Sequence, residues 1–343
     1  MQHAGAFLVK QIDKDVQEDE GRKKGRTHLG ASVLGRKCLR QIWYGWRWAH
    51  VVQHQGRLLR LFRRGHREEP NFIRLLTARG FIVRSHAERL CYYSGQQDVP
   101  RYLCVPWDDP IPEYYEDVSQ SAAHLELATE AGSAPKQLGF SDHMGHFGGS
   151  GDGVVMAVDV GIAMPDGPGL SEYKTAGEKA FIDLAGKLED WRKHVTDPVK
   201  NPFTGKGVIS SKIEHYVQMQ TYMRYFGLKW ALYVVVCKNT DDLYIEVVHF
   251  KPEVAEAYAD RAGQIIRAQH PPARITNDPS WWECKFCDYR EICHRGAALS
   301  KNCRTCIYAS PVEGGVWACG KFHQPIPKDF MPKGCDAWEV IAS

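Results

Sequence analysis

Long apolar runs are missing from this 343-residue chain, and no stretch approaches the roughly 20 residues that a membrane-spanning helix needs. The opening segment MQHAGAFLVKQIDKDVQEDEGRKKGR lacks the apolar core of a secretory signal, so a cytoplasmic protein with no membrane partner is expected. There is no internal repeat and no glycine-rich loop ending in Gly-Lys-Ser/Thr, which excludes an ATP motor of the P-loop kind. Acids are scarce from Gly21 to Leu90, where 17 Lys/Arg face only Glu68, Glu69 and Glu88. Bases are scarce from Arg101 to Val160, where ten acids face only Arg101 and Lys136. The net charge of +3 conceals this division. A basic N-terminal third points to a polyanionic partner, and an acidic middle to a solvated face or to cation ligands. Eleven cysteines without a secretion signal favour metal or cluster ligation over disulfides.

The order of periodic segments gives an α/β chain. Residues 1–27 are polar and charged, and read as a flexible arm. Between Leu29 and Gly80 apolar residues recur at helical spacing, interleaving Trp43, Tyr44, Trp46 and Trp48 with Arg40, Arg47 and Arg57. Those aromatics read either as core or as part of a nucleic-acid surface. Strands are expected near Phe81–Ser85 and Cys91–Tyr93, then an insertion with some helix from Gly95 to Pro135. GHFGGSGDGVVMAVDVG and GLSEYKTA read as adjacent strands joined by MPDGPG. A helix ending at Gly227, a second hairpin around KNTDD, and a helix stopped by Pro271 and Pro272 complete a mixed core of about 200 residues.

Within GLSEYKTAG, Glu172 and Lys174 alternate onto one face of a strand. An ion pair on a solvated surface would explain them alone. Asp152, set between glycines at the start of the preceding strand, requires more. In a hairpin Asp152 and Glu172 lie side by side, with Lys174 next on the same face. Two converging carboxylates need a cation, and hard oxygen ligands select magnesium or manganese. Such a metal polarises a phosphodiester and acidifies a bound water, which Lys174 would orient or deprotonate.

These residues resemble the motif of the PD-(D/E)XK nucleases, with Asp152, Glu172 and Lys174 as its D, E and K. RRGHREEP resembles the upstream helix of RecB-like and lambda-exonuclease-like members, with His66 or Glu69 reaching the metal. HYVQMQTYM resembles the helix that follows the E-x-K strand in RecB-like nucleases, with Gln218 and Tyr222 as its Gln and Tyr. The resemblance spans Cys38 to Cys293 and implies a restriction-endonuclease-like core: a mixed central sheet flanked by helices. The 20 residues from Asp152 to Glu172 depart from the lambda-like pattern and require a longer hairpin. The resemblance further implies that the backbone carbonyl of Tyr173 faces the metal. A simpler reading pairs His66 and Glu69 with Arg63 or Arg67.

Cys284, Cys287 and Cys293 form a C-x2-C-x5-C run, with Cys38 some 250 residues earlier. This resembles the iron–sulfur staple of AddAB-type and CRISPR-associated RecB-like nucleases, which implies a [4Fe–4S] cluster. Zinc at the same thiolates, or with His294 in place of Cys38, is the alternative. Cys303, Cys306, Cys319 and Cys335 read as a zinc-ribbon-like tail, with His323 as a substitute ligand. Cys91, Cys104 and Cys237 read as ordinary buried thiols. The expected division is therefore an arm at 1–27, a nuclease domain at 28–296 and a cysteine-rich tail at 297–343.

The expected function is a metal-dependent deoxyribonuclease, an exonuclease of recombination, replication or repair, similar to exonuclease-like proteins of phage genomes. DNA is the expected partner, contacted by Arg40, Arg47, Arg57, Arg63 and Arg64. Processivity without a motor implies a ring-shaped homo-oligomer or a helicase, recombinase or single-strand-binding protein. The rivals are a non-catalytic nucleic-acid-binding protein and an endonuclease acting on branched DNA.

Overall fold

The computed structural model describes residues 2–21, 26–84, 88–93, 102–106, 111, 113–117 and 138–341. Helices α1 (Gln2–Gly21), α2 (Leu39–Trp46) and α3 (Gly56–Thr77) precede strand β1 (Phe81–Arg84). Then come β2 (Gly153–Ala157), β3 (Gly169–Ala176), α4 (Ile213–Phe226), β4 (Trp230–Cys237), β5 (Leu243–His249) and α5 (Pro252–Arg267). No helix among the described residues is long and apolar enough to cross a membrane.

The chain divides into two compact units, neither of them continuous in sequence. Unit 1 comprises Met1–Phe62, Ser141–Gly149 and Glu256–Ser343, and unit 2 comprises Arg63–Phe140 and Ser150–Ala255. This differs from a split at residues 27 and 296. Residues far apart in the chain complete one core, which a composition scan along the sequence does not see.

Unit 2 is built on a five-stranded mixed sheet in the order β5-β4-β3-β2-β1. Only β4 and β3 run parallel; the other neighbours are antiparallel. All eight residues of β4, WALYVVVC, are buried, as a central strand covered on both faces requires. One face of the sheet meets α3, where Phe72, Ile73 and Leu76 pack with Val83, Val155, Tyr173, Leu232 and Val234. Side chains alternate along strands, so Glu172, Lys174 and Tyr233 occupy the opposite face. Helix α4 packs against β3 and β4. It is buried without a break from Tyr216 to Met223 and ends at Gly227 in the left-handed conformation (φ 68°).

Gly153 is forced by packing. A Cβ there would lie 2.4 Å from the Arg84 carbonyl oxygen and 2.9 Å from Ser171 Oγ. Gly153 therefore serves close contact between strands. Gly153→Ala is expected to destabilise unit 2 by about 1–3 kcal/mol, read as a lower denaturant midpoint at unchanged slope.

In the insertion, strands Tyr102–Pro106 and Tyr115–Asp117 flank Glu88–Tyr93 in a small antiparallel sheet. The helix expected there lies outside the described residues, as do the side chains of Cys91 and Cys104. Cys237 is buried, as expected.

Unit 1 bears on two readings of the sequence. The segment expected to be a loose arm contains α1, whose Asp13 pairs with Arg60 and whose Gln17 Nε2 donates to the His54 carbonyl (2.9 Å). Trp43, Tyr44 and Trp46 of α2 are core residues, 0–3% exposed, and do not face a nucleic-acid channel. The C-terminal residues form a three-stranded antiparallel sheet from Ala309–Val312, Val316–Cys319 and Gln324–Pro325.

Candidate active site

The register of unit 2 assembles the sequence motif. Gly153 pairs with Ser171, which sets Asp152 beside Glu172, and Glu172 lies beside Tyr233 on β4. Asp152 Oδ2 accepts a hydrogen bond from the Tyr173 amide (2.9 Å). The Lys174 ammonium is paired with Glu172 Oε1 and donates to the Tyr173 carbonyl (3.2 Å). That carbonyl, expected to face a metal, is thus already engaged. The Tyr173 ring stacks on Phe72 on the far side of the sheet (centroids 5.3 Å apart).

Glu172 is fully buried and Lys174 keeps a quarter of its side chain exposed. Burial raises the Glu172 pKa to about 7, reinforced by Asp152 and Glu69, while Lys174 opposes the rise. Burial also opposes the Lys174 charge, but Glu172 and Asp152 outweigh it and hold the pKa above the ordinary lysine value. In the metal-free site these carboxylates favour the ammonium form of Lys174, which suits it to orient a water or neutralise an anion.

Glu172 Oε2 is buried with no hydrogen-bond partner. An orphaned carboxylate oxygen beside Asp152 fits a hard cation, whose bond would replace the missing one. Among the described residues no group of three or more His, Cys, Asp or Glu side chains stands at metal-binding geometry. Asp152, Glu172 and Glu69 would be the ligands of such an ion.

Glu69, on α3, lies within electrostatic range of Glu172. His66 Nδ1 lies 3.2 Å from Glu69 Oε1 with most of the His66 side chain in solvent, so His66 stands outside the carboxylate group. Glu68, next to Glu69 in the chain, lies 3.9 Å from Arg64.

Helix α4 closes the site from the other side. Gln218 Nε2 donates to Tyr222 Oη (3.3 Å), both residues nearly buried. Burial and the charge of Glu172 push the Tyr222 pKa up to about 12, so its hydroxyl stays protonated. One member of this face escaped sequence reasoning. His215 Nδ1 lies 2.7 Å from Tyr233 Oη, and burial, with Lys174 and Lys212 adding to it, lowers its pKa to about 3. A neutral histidine thus sits behind the lysine. The signal was available, because 215, 218 and 222 share one helical stripe. Gln220 instead clamps the backbone, donating to the His249 carbonyl (2.9 Å) and accepting from the Lys251 amide (2.7 Å).

The Glu172 shift fixes a pH dependence. Its folded pKa lies above the ordinary 4.5, so its contribution to metal-free stability is full below about pH 4.5 and is lost as pH rises through about 7. Manganese requires the carboxylate, so its affinity should run the other way. It is expected to climb up to about tenfold per pH unit below pH 7 and level off above, as calorimetric titration would measure.

The arginines expected on DNA separate. Arg47 is fully buried in unit 1, where no phosphate reaches it directly. Arg40 donates to the Pro272 carbonyl (2.7 Å) and lies over the Tyr44 ring, while Arg57 is exposed. Arg63 and Arg64 belong to unit 2, on α3 with Glu69.

Both cysteine quartets lie in unit 1. Cys38, Cys284, Cys287 and Cys293 line one small cavity together with His294. Cys303, Cys306, Cys319 and Cys335 line another, to which His323 does not contribute. Burial raises the Cys303 pKa to about 11, with Cys335, Cys306 and Cys319 adding to it. The cysteines of both quartets are free, and thiolates of this kind are the donors that zinc or an iron–sulfur cluster takes.

No protein-family model matches the sequence. No curated protein matches it either. Among solved structures, SSO0001 is 13% identical with a TM-score of 0.41, over 85% of this chain and 98% of that one. An alkaline exonuclease from Laribacter hongkongensis is 12% identical with a TM-score of 0.31, over 75% and 90%. The same exonuclease in complex with dAMP gives 14% and 0.34, over 70% and 86%.

Proposed function

We propose that the chain is a metal-dependent deoxyribonuclease, an exonuclease of recombination, replication or repair. The observation that carries this reading is the buried Glu172, with one oxygen unpartnered and the other held by Lys174, beside Asp152 and within range of Glu69. A structural ion pair has no use for an orphaned oxygen or for further carboxylates.

A magnesium or manganese ion held by Asp152, Glu172 and Glu69 supplies Lewis acidity and a more acidic water. Asp152 is fixed for this by the Tyr173 amide. Lys174, as an ammonium, neutralises the phosphodiester and orients the attacking water. Tyr222, with Gln218 against its hydroxyl, offers a protonated donor on the same side. His215 and Tyr233 back the pair and keep water from behind it. The quartet of Cys38, Cys284, Cys287 and Cys293 would hold a [4Fe–4S] cluster or zinc, and that of Cys303, Cys306, Cys319 and Cys335 zinc.

The test is cleavage of end-labelled linear duplex, single-stranded and closed circular DNA with manganese or magnesium. Wild type should degrade the linear substrates and spare the circle. A cut circle would make the protein an endonuclease, and tight binding without cleavage of any substrate would make it a binding protein.

A further inference from the structure

Unit 1 buries two guanidinium groups that no carboxylate answers. Arg47 is 0% and Arg304 1% exposed. Arg47 donates to the carbonyls of Arg304 (3.2 Å) and Ala268 (2.9 Å), and its Nε has no partner. Arg304 donates to the carbonyls of Trp46 (2.9 Å) and Thr27, with its guanidinium 3.9 Å from the Trp48 ring centre. Carbonyls and aromatic faces offer only partial negative charge. Among the described residues no Asp or Glu forms an ion pair with either arginine. A scaffold role explains the hydrogen bonds, but leaves two uncompensated charges at a site where such charges are strongly unfavourable.

Arg304 and Trp48 help line a cavity of about 1130 Å³ that lies wholly within unit 1. Lys14, Arg26, Arg36 and Lys301 also line it, so that with Arg304 five cations face two acids, Glu18 and Glu20. Glu18 lies 3.5 Å from Lys14, which sets one of those acids against one of those cations. His28 reports the same field: burial lowers its pKa, and the charges of Arg26 and Arg304 lower it further.

We infer that this cavity is a phosphate-binding site, independent of the carboxylate site of unit 2. A phosphate group in the cavity supplies negative charge and acceptors to the cations of its wall, Arg26, Arg36, Lys301 and Arg304. The tryptophan in the wall suits a phosphate that carries a base, as on a nucleic-acid strand.

The experiment is calorimetric titration of the full chain, without added divalent metal, with inorganic phosphate and separately with a short oligothymidylate. Arg26 and Lys301 are both exposed, so Arg26→Ala with Lys301→Ala alters the cavity wall without removing core groups. Circular dichroism verifies its fold, and Lys193→Ala, exposed in unit 2, is the control. The double variant should weaken binding by about tenfold or more and lower the salt dependence of oligonucleotide binding, while the control changes neither. An oligonucleotide bound far more tightly than phosphate identifies a strand as the ligand, and equal affinities identify free phosphate. No binding of either probe, or equal binding by wild type and the double variant, overturns the inference.

Discussion

Lys174→Ala should lower DNA cleavage by about a hundred- to a thousandfold, the usual loss when one preorganised charge is taken from a reacting centre. Glu172→Gln should do the same by removing the carboxylate from the metal. Neither should abolish binding of DNA. Their stabilities should fall as well, because both residues belong to a largely buried pair. Glu172 is fully buried and bonded to Lys174, so Glu172→Ala leaves a cation without its partner and opens a void. Breaking a fully buried pair costs about 3–5 kcal/mol, and the quarter exposure of Lys174 places this site below that range. The decisive comparison is therefore Lys174→Ala against Glu172→Gln, with rates measured beside melting temperatures. Full cleavage by a folded Lys174→Ala protein would remove the catalytic assignment.

Replacement of Cys303, Cys306, Cys319 and Cys335 by serine should unfold much of unit 1. Binding of a structural zinc contributes on the order of 10 kcal/mol, comparable with the whole stability of a domain. The thiols stand close to a segment that the core depends on, because Arg304, between Cys303 and Cys306, ties the carbonyls of Trp46 and Thr27. Metal analysis of the purified wild type should find zinc. Cys284→Ala should cause a similar loss through the other quartet, with visible absorbance disappearing if that site holds iron and sulfur. Soluble, fully stable protein with either quartet replaced would remove that assignment.

Much of the site was legible because it rests on local rules. Period-two alternation places Glu172 and Lys174 on one face, and the turn between strands returns Asp152 to their side. The stripe through Gln218 and Tyr222 follows from the helical repeat. The C-x2-C spacings marked both thiol clusters. What these rules omit is which face is covered and by what. Trp43, Trp46 and Arg47 look alike whether they serve a nucleic-acid surface or a core, and only packing made them core. The need for glycine at 153 is set by the Arg84 carbonyl, which lies 69 positions earlier in the chain and against its Cα.

By itself the sequence determined the α/β class, the strand pair carrying Asp152, Glu172 and Lys174, the helix of Gln218 and Tyr222, and the two sets of cysteines. These depend on spacing along the chain, which periodic backbone geometry converts directly into position. Tertiary structure alone decided the interleaved division into two units, the full burial of Glu172 against Lys174, the place of His215 behind it and the burial of Arg47 with Arg304. Each of those depends on desolvation and on neighbours distant in sequence, and neither is written in any local stretch of residues.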